Sequence, residues 1–180
     1  PRNRGLCLLD GGGSAPDAAL ICSDRGVFRL TPPSADRPVW HSERLLAQAA
    51  SDALLLDLDG DHLRELVTIE PFHGARLCVY HLTDDGSYQL AWQHPEPLPF
   101  LHAIWGAEIG GKVYGFIGNR EEDRDLFAIY WDGERYVYDM LDQGAGAANV
   151  LHFKAGERDM LLAANRETDE IVVYTLETEG

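Results

Sequence analysis

The chain has 180 residues and a mass of 20.0 kDa, 45% hydrophobic and 25% charged, which suits one sizeable core and excludes a disordered chain. A net charge of −15 repels phosphate backbones and anionic lipid surfaces, so neither a nucleic-acid nor a membrane partner is expected. No apolar run approaches the roughly 20 residues that cross a bilayer.

The chain opens on Pro1 rather than Met, which reads as a processed or trimmed product. Three cysteines, Cys7, Cys22 and Cys78, are scattered without a CxxC spacing. They are expected to be reduced core thiols of a cytoplasmic protein, not a disulfide framework or a zinc site. Gly11, Gly12 and Gly13 follow Asp10, but no helix follows them to present its N-terminus to a phosphate, so a turn suffices.

From Ala19 onward the same strand pattern recurs. Ala19–Ile21, Leu66–Ile69, Tyr114–Ile117 and Met160–Ala163 read as second strands, with Ile21, Ile69, Ile117 and Ala163 spaced by 48, 48 and 46 residues. Third strands follow at Val27–Leu30, Leu77–Tyr80, Phe127–Tyr130 and Ile171–Tyr174. Fourth strands are read at Pro38–Glu43, Tyr88–Gln93 and Tyr136–Met140, the last two introduced by Asp85-Gly86 and Asp132-Gly133 turns. Between the first two units, Ser42–Ala50 has the composition of a short helix with Ser42 as its cap, and a helical turn is slightly favoured there over a longer strand.

A period of about 48 residues built from four short strands is that of a β-propeller blade. One such sheet cannot bury both faces alone, so blades must pack on one another. The expected fold is therefore all-β, a propeller of about four four-stranded blades in a single domain, residues 1–180. The units are 5–45, 52–94, 102–143 and 147–176, and the last lacks an outer strand. Four blades are few for a closed ring. The chain reads as a whole small propeller, as half of a ring completed by a second copy, or as part of a longer propeller, and the missing strand and non-Met start favour the last.

Three groups of residues carry possible chemistry. In the turn Asp57-Leu58-Asp59-Gly60-Asp61-His62-Leu63-Arg64-Glu65, carboxylates stand at loop positions 1, 3, 5 and 9, a set able to offer hard oxygen ligands to calcium. The alternative is an Asx turn, its carboxylates accepting from nearby backbone N–H groups. The other units lack this series. D-x-D-G-D before an E-L-V strand resembles the FG-GAP or VCBS-type repeat of integrin-like propellers; the motif matches in the second unit, the periodicity along the whole chain. The resemblance implies a propeller with acidic loops that sometimes hold calcium.

The second group follows the second strands: Glu70-Pro71-Phe72-His73, Gly118-Asn119-Arg120-Glu121 and Ala164-Asn165-Arg166-Glu167. His73, Asn119, Arg120, Asn165 and Arg166 are candidate ligand contacts, since Arg clamps carboxylates and Asn both donates and accepts. The alternative is that Asn supports the turn while Arg and Glu form a blade-to-blade ion pair.

The third group lies on a first strand, Leu101-His102-Ala103-Ile104-Trp105-Gly106-Ala107-Glu108. Alternation puts His102, Ile104 and Gly106 on one face, with Trp105 and Glu108 not required to align with them. This stretch is similar to the innermost strand of aldosulose dehydratase-like propellers, whose comparable histidine faces the central cavity. On that analogy His102 is the general base, with Glu108 or a metal stabilising the enolate; Trp105 and His152 are further candidate ligand contacts, and a hydrogen-bonded structural histidine is the competing reading. No G-x-S-x-G, H-E-x-x-H, P-loop or G-x-G-x-x-G occurs. The leading expectation is a binding module that recognises a protein or carbohydrate through its loops and central funnel. A carbohydrate-active lyase or isomerase and a calcium-stapled structural propeller are the alternatives.

Overall fold

A computed structural model describes residues 2–9, 17–71 and 74–177. The protein is all-β and of the β-propeller class, and no helix occurs among the described residues. Among the described residues fifteen strands form four antiparallel sheets in which neighbours in sequence are neighbours in space. Blade 1 is β1 (Asn3–Leu9), β2 (Ala18–Ser23), β3 (Gly26–Thr31) and β4 (His41–Leu46). Blade 2 is β5 (Asp52–Leu56), β6 (Glu65–Glu70), β7 (Arg76–Leu82) and β8 (Tyr88–Gln93). Blade 3 is β9 (Leu101–Ile109), β10 (Lys112–Asn119), β11 (Leu126–Trp131) and β12 (Tyr136–Asp142). Blade 4 has, among the described residues, β13 (Ala147–Ala155), β14 (Arg158–Asn165) and β15 (Glu170–Leu176).

The predicted helical turn is replaced by strand. Residues His41–Leu46 pair with β3, from Thr31↔His41 to Val27↔Leu46, and Leu46 is buried. Pairing with a neighbouring strand outweighs a helix preference of a few tenths of a kcal/mol per residue. The strand also starts later than Pro38, since Ser34 and Arg37 close a turn on each other and proline has no N–H for a ladder.

The chain divides into two compact units, Pro1–Leu55 with Glu65–Pro95, and Leu56–Arg64 with Glu96–Gly180. In the first, blade 1 packs Leu20, Cys22 and Val27 against Leu66, Cys78 and Tyr80 of blade 2. In the second, blade 3 packs Phe116, Leu126 and Ala128 against Val150, Leu161 and Ala163 of blade 4. Strand alternation decides which residues these are, because i and i+2 share a face.

Register corrects the repeat alignment. The pairs Cys22↔Val27, Ile69↔Leu77, Gly118↔Leu126 and Ala164↔Ile171 each sit one step from the end of the second strand. Ile69 is thus the equivalent of Cys22, not of Ile21. Ile69 likewise matches Gly118 and not Ile117; a one-residue slip exchanges the two faces of a strand, so both 48-residue spacings assign the faces of β6 wrongly.

Two close approaches need glycine. Gly26 has φ +123° and its missing Cβ leaves room for the Leu46 carbonyl. At Gly106 a Cβ would run into the Leu56 side chain. All three cysteines are free thiols. Burial, then the Glu70 charge, pushes Cys78 up to about 12, so it is inert at neutral pH.

The first unit also holds a strained charge. Burial pushes the Asp52 carboxyl up to about 6, against the opposing pull of the Ala53 N–H, donated at 3.0 Å, and the Arg4 charge. The folded chain therefore holds this proton more tightly than the unfolded chain, and the group's contribution to stability falls as pH rises from about 4 to about 6. Asp52→Asn is expected to raise the melting temperature at pH 7.5, by the equivalent of ~1–2 kcal/mol, and to change it little at pH 4. Equal melting of the two proteins at pH 7.5 would contradict this reading of Asp52.

Candidate functional site

The first strands of blades 3 and 4 each carry a bulge. Opposite the adjacent residues Gly118 and Asn119 stand Ala103 and Leu101, leaving His102 as the extra residue. In blade 4 Asn165 and Ala164 face Ala147 and Asn149, leaving Ala148. A bulge re-aims a side chain and frees a carbonyl from the ladder. Here the two meet: His102 Nδ1 lies 2.7 Å from the Ala148 carbonyl oxygen. A carbonyl only accepts, so Nδ1 carries the hydrogen and the neutral tautomer is fixed. The Phe100 ring packs near the imidazole, with centroids 5.8 Å apart.

His102 and Glu108 stand at opposite ends of β9. Six residues of strand separate their Cα atoms by about 20 Å, too far for both to act on one reacting centre. Regular pairing from Ala103 to Ile109 puts Glu108 on the face of Ile104 and Gly106, and Trp105 on the other face with Ala103 and Ala107. Trp105 is partly exposed.

The two Asn-Arg-Glu turns have different roles. Asn119, buried at the end of β10, donates from its amide to the carbonyls of Pro99 (3.2 Å) and Glu121 (2.8 Å) and accepts the Asp125 N–H at 2.7 Å. Every strong position of that amide is used in closing the turn. Arg120 donates from Nε and Nη2 to Glu167 Oε1 at 3.0 and 2.6 Å and lies over the Phe100 ring, 4.9 Å from its centroid. That pair links blades 3 and 4, and the Arg120 hydrogen bonds hold the Glu167 carboxyl below the usual range.

Asn165 is different. Its amide nitrogen donates to Tyr174 Oη at 3.3 Å, and that hydroxyl donates to Asp142 Oδ2 at 2.6 Å. Its Oδ1 is buried without a protein partner. It borders an open cleft of about 440 Å³ with Ala148, Arg166, Asp169 and Ile171. His152 is tied to Asp159, Nε2 to Oδ1 at 2.7 Å, with Lys154 Nζ 3.4 Å from the same oxygen. The His152 hydrogen bond is the main cause of the lowered Asp159 pKa. His73 lies outside the described residues, as do Gly11, Gly12 and Gly13.

In the acidic loop the carboxylate oxygens of Asp57, Asp59 and Asp61 lie within 4.8 Å of one another. The Asx reading holds in part: Asp59 Oδ1 accepts the Asp61 N–H at 3.2 Å, and Asp61 Oδ1 the Leu63 N–H at 2.7 Å. Asp57 Oδ2 lies 3.6 Å from His62, and its Oδ1 is buried without a partner. Glu65 opens β6, where it is buried, and belongs to the other compact unit.

Two arrangements were missed from sequence. In the first unit the buried Glu70 accepts at Oε1 from Thr68 Oγ1 (2.7 Å) and Tyr80 Oη (2.8 Å), with Arg76 3.6 Å from Oε2. In the second, β10 places Lys112, Tyr114 and Phe116 on one face, across from Ala128 and Tyr130 of β11. They border a cleft of about 410 Å³ together with Ile109, Asp139, Leu141, Leu176 and Glu177. Lys112 Nζ sits 3.7 Å from the Tyr130 ring centroid, and the Tyr114 and Tyr130 rings meet at 5.4 Å and 58°. Tyr130 Oη donates to Asp139 Oδ2 at 2.8 Å; that bond, followed by burial, pushes Tyr130 up to about 12. In the sequence Tyr114 and Phe116 carry only a strand signal, and nothing local points to the Tyr130 ring across from them.

No protein-family model matches the chain, and no curated protein sequence matches it. What sheets and register establish is the class, an all-β protein built of propeller blades. The resemblance to the FG-GAP or VCBS repeat is carried by the periodicity and the Asp57–Glu65 loop alone, and no matching family model accompanies it.

If His102 is a structural tie, His102→Ala should cost ~1–2 kcal/mol in chemical denaturation, since the Ala148 carbonyl loses a donor. His102→Asn, which can still donate, should recover part of it. No stability change in either variant would remove the tie.

Proposed function

We propose that the protein is a non-catalytic binding module that holds a protein or carbohydrate ligand. The observation that carries this is the cleft on blade 3: a buried apolar floor of Ile109, Phe116 and Ala128, walls of Tyr114 and Tyr130, and a rim of Lys112, Asp139 and Glu177. Aromatic faces over an apolar floor, with a few polar groups at the edge, suit sugar rings and the side chains of a peptide. Against the lyase reading, His102 is engaged with a backbone carbonyl and its proposed helper is about 20 Å away along the strand. A second cleft borders Asn165 and Arg166 at the other end of the strands, and it is a further candidate contact area. Titration calorimetry against glycan and peptide panels tests the proposal. A ligand that binds should lose at least ~10-fold in affinity on Tyr130→Ala, since aromatic anchors carry much of a binding energy. Silence across both panels, with turnover of a sugar substrate that His102→Ala abolishes, would replace it with the lyase.

A calcium ion in the acidic loop is a second reading, supported by three carboxylates within 4.8 Å and by the unpartnered Asp57 Oδ1. Asp57, Asp59 and Asp61 fit such an ion as oxygen donors, with water completing the six to eight ligands it requires. The cation would offset their mutual repulsion and fix the turn. Calcium at about 100 times its Kd should then stabilise the fold by ~2.7 kcal/mol, seen as a higher melting temperature that chelator reverses and Asp59→Asn abolishes. Identical melting curves with calcium and with chelator would exclude it.

A further inference from the structure

Blade 1 and blade 4 each present an uncovered apolar sheet face. In blade 1 the pairs Leu6↔Ile21↔Phe28 and Leu8↔Ala19↔Leu30 form one continuous side. Leu6 is 67% exposed and Leu8 64%, and the other four are half-buried. In blade 4 the corresponding side is Leu151↔Leu162↔Val173 and Ala164↔Ile171, with Phe153 beside them; Ile171 is 79% exposed and Val173 49%. Six apolar residues side by side on each sheet are far more than scattered surface leucines, and faces of this kind mark interaction surfaces.

The repeat says what covers them. Ala164↔Ile171 and Leu162↔Val173 occupy the positions of Gly118↔Leu126 and Phe116↔Ala128 in blade 3, which are buried because blade 4 packs on them. Ile21↔Phe28 and Ala19↔Leu30 occupy the positions of Thr68↔Cys78 and Leu66↔Tyr80 in blade 2, which are buried because blade 1 packs on them. The uncovered side of blade 4 is thus of the kind that receives a following blade. That of blade 1 is of the kind that receives a preceding one. They are the two halves of the junction already formed inside each compact unit.

We propose that the blade 4 face of one copy of this chain packs against the blade 1 face of a second copy, a head-to-tail junction made twice in a closed dimer. The contact is heterologous: different surfaces meet, and two junctions close the assembly. It continues the blade-to-blade packing, so its core is apolar, as in interfaces between subunits that depend on each other. The net charge of −15 per chain opposes the association, and salt screens that repulsion.

Light scattering after gel filtration, with sedimentation equilibrium, tests this on the intact chain. A mass twice that of the 20.0 kDa chain is expected, with tighter association at about 500 mM than at about 50 mM salt. Leu8→Glu and Ile171→Glu change exposed side chains, so each should keep the native circular dichroism while weakening dimerisation at least ~100-fold. Every junction in either variant contains one altered face. An equal mixture of the two variants allows a heterodimer with one unaltered junction, so mixing should recover part of the dimer. A monomer at all concentrations, or a dimer that neither substitution weakens, overturns the proposal. A dimer lost in the variants but not recovered by mixing shows like-to-like contact and overturns it too.

Discussion

The structure depends on one constraint: a short, twisted sheet of four strands has two apolar faces and cannot bury either by itself. A helix hides one stripe and leaves the rest polar. Here β6 is buried at all six of its positions, from Glu65 to Glu70, and blade 1 packs on its Leu66. β15, in a blade with no outer strand among the described residues, alternates exposed and half-buried residues from Ile171 to Leu176. The contrast between these two strands of similar composition is an effect of coverage, not of sequence.

The same constraint explains why so many polar residues that looked available for chemistry are used in construction. Where apolar faces press together, the ends of the strands must still pair their backbone groups, and an unpaired buried group costs about 1–3 kcal/mol. Asn119 closes a turn with three hydrogen bonds, and His102 satisfies a carbonyl freed by the Ala148 bulge. Arg120 and Glu167 fasten two blades at their rim. Glu70 is the costly case, a buried carboxylate kept acceptable by Thr68, Tyr80 and a partly exposed Arg76.

The strands themselves were legible in the sequence. Tyr88–Gln93 was placed at both ends, and all four second and third strands were found, because β-branched and aromatic runs bounded by glycine turns are a local signal. Which side of each strand faces which neighbour was not legible. Side-chain direction has a period of two, so an alignment based on apolar Ile21 and Ile69 looked sound while reversing the faces; hairpin pairing was needed to set it right. Ser42–Leu46 failed for a related reason, since nothing local announces the partner strand that holds it extended. Candidate residues fared less well. Type and spacing marked Asn119 and His102 as chemically able, but only distances reveal that their capacity is already committed. The cleft of Tyr114 and Tyr130 is assembled across two strands, and its members are ordinary strand residues in each.

Acidity and uncovered apolar surface belong together in this chain. A protein that leaves faces such as Leu6–Leu8 and Ile171–Val173 open would aggregate through them unless something made random contact unfavourable. A charge of −15 acts over about 10 Å at 0.1 M salt and opposes every close approach equally. It is overcome only where shape and apolar contact match over a whole face. Nonspecific attraction through two exposed leucines does not reach that threshold, whereas the packing of one complete blade side on another, as Phe116 and Leu126 pack on Leu161 and Ala163, can. In the proposed junction the surface charge would set the selectivity of the open faces, and the repeated register what they accept.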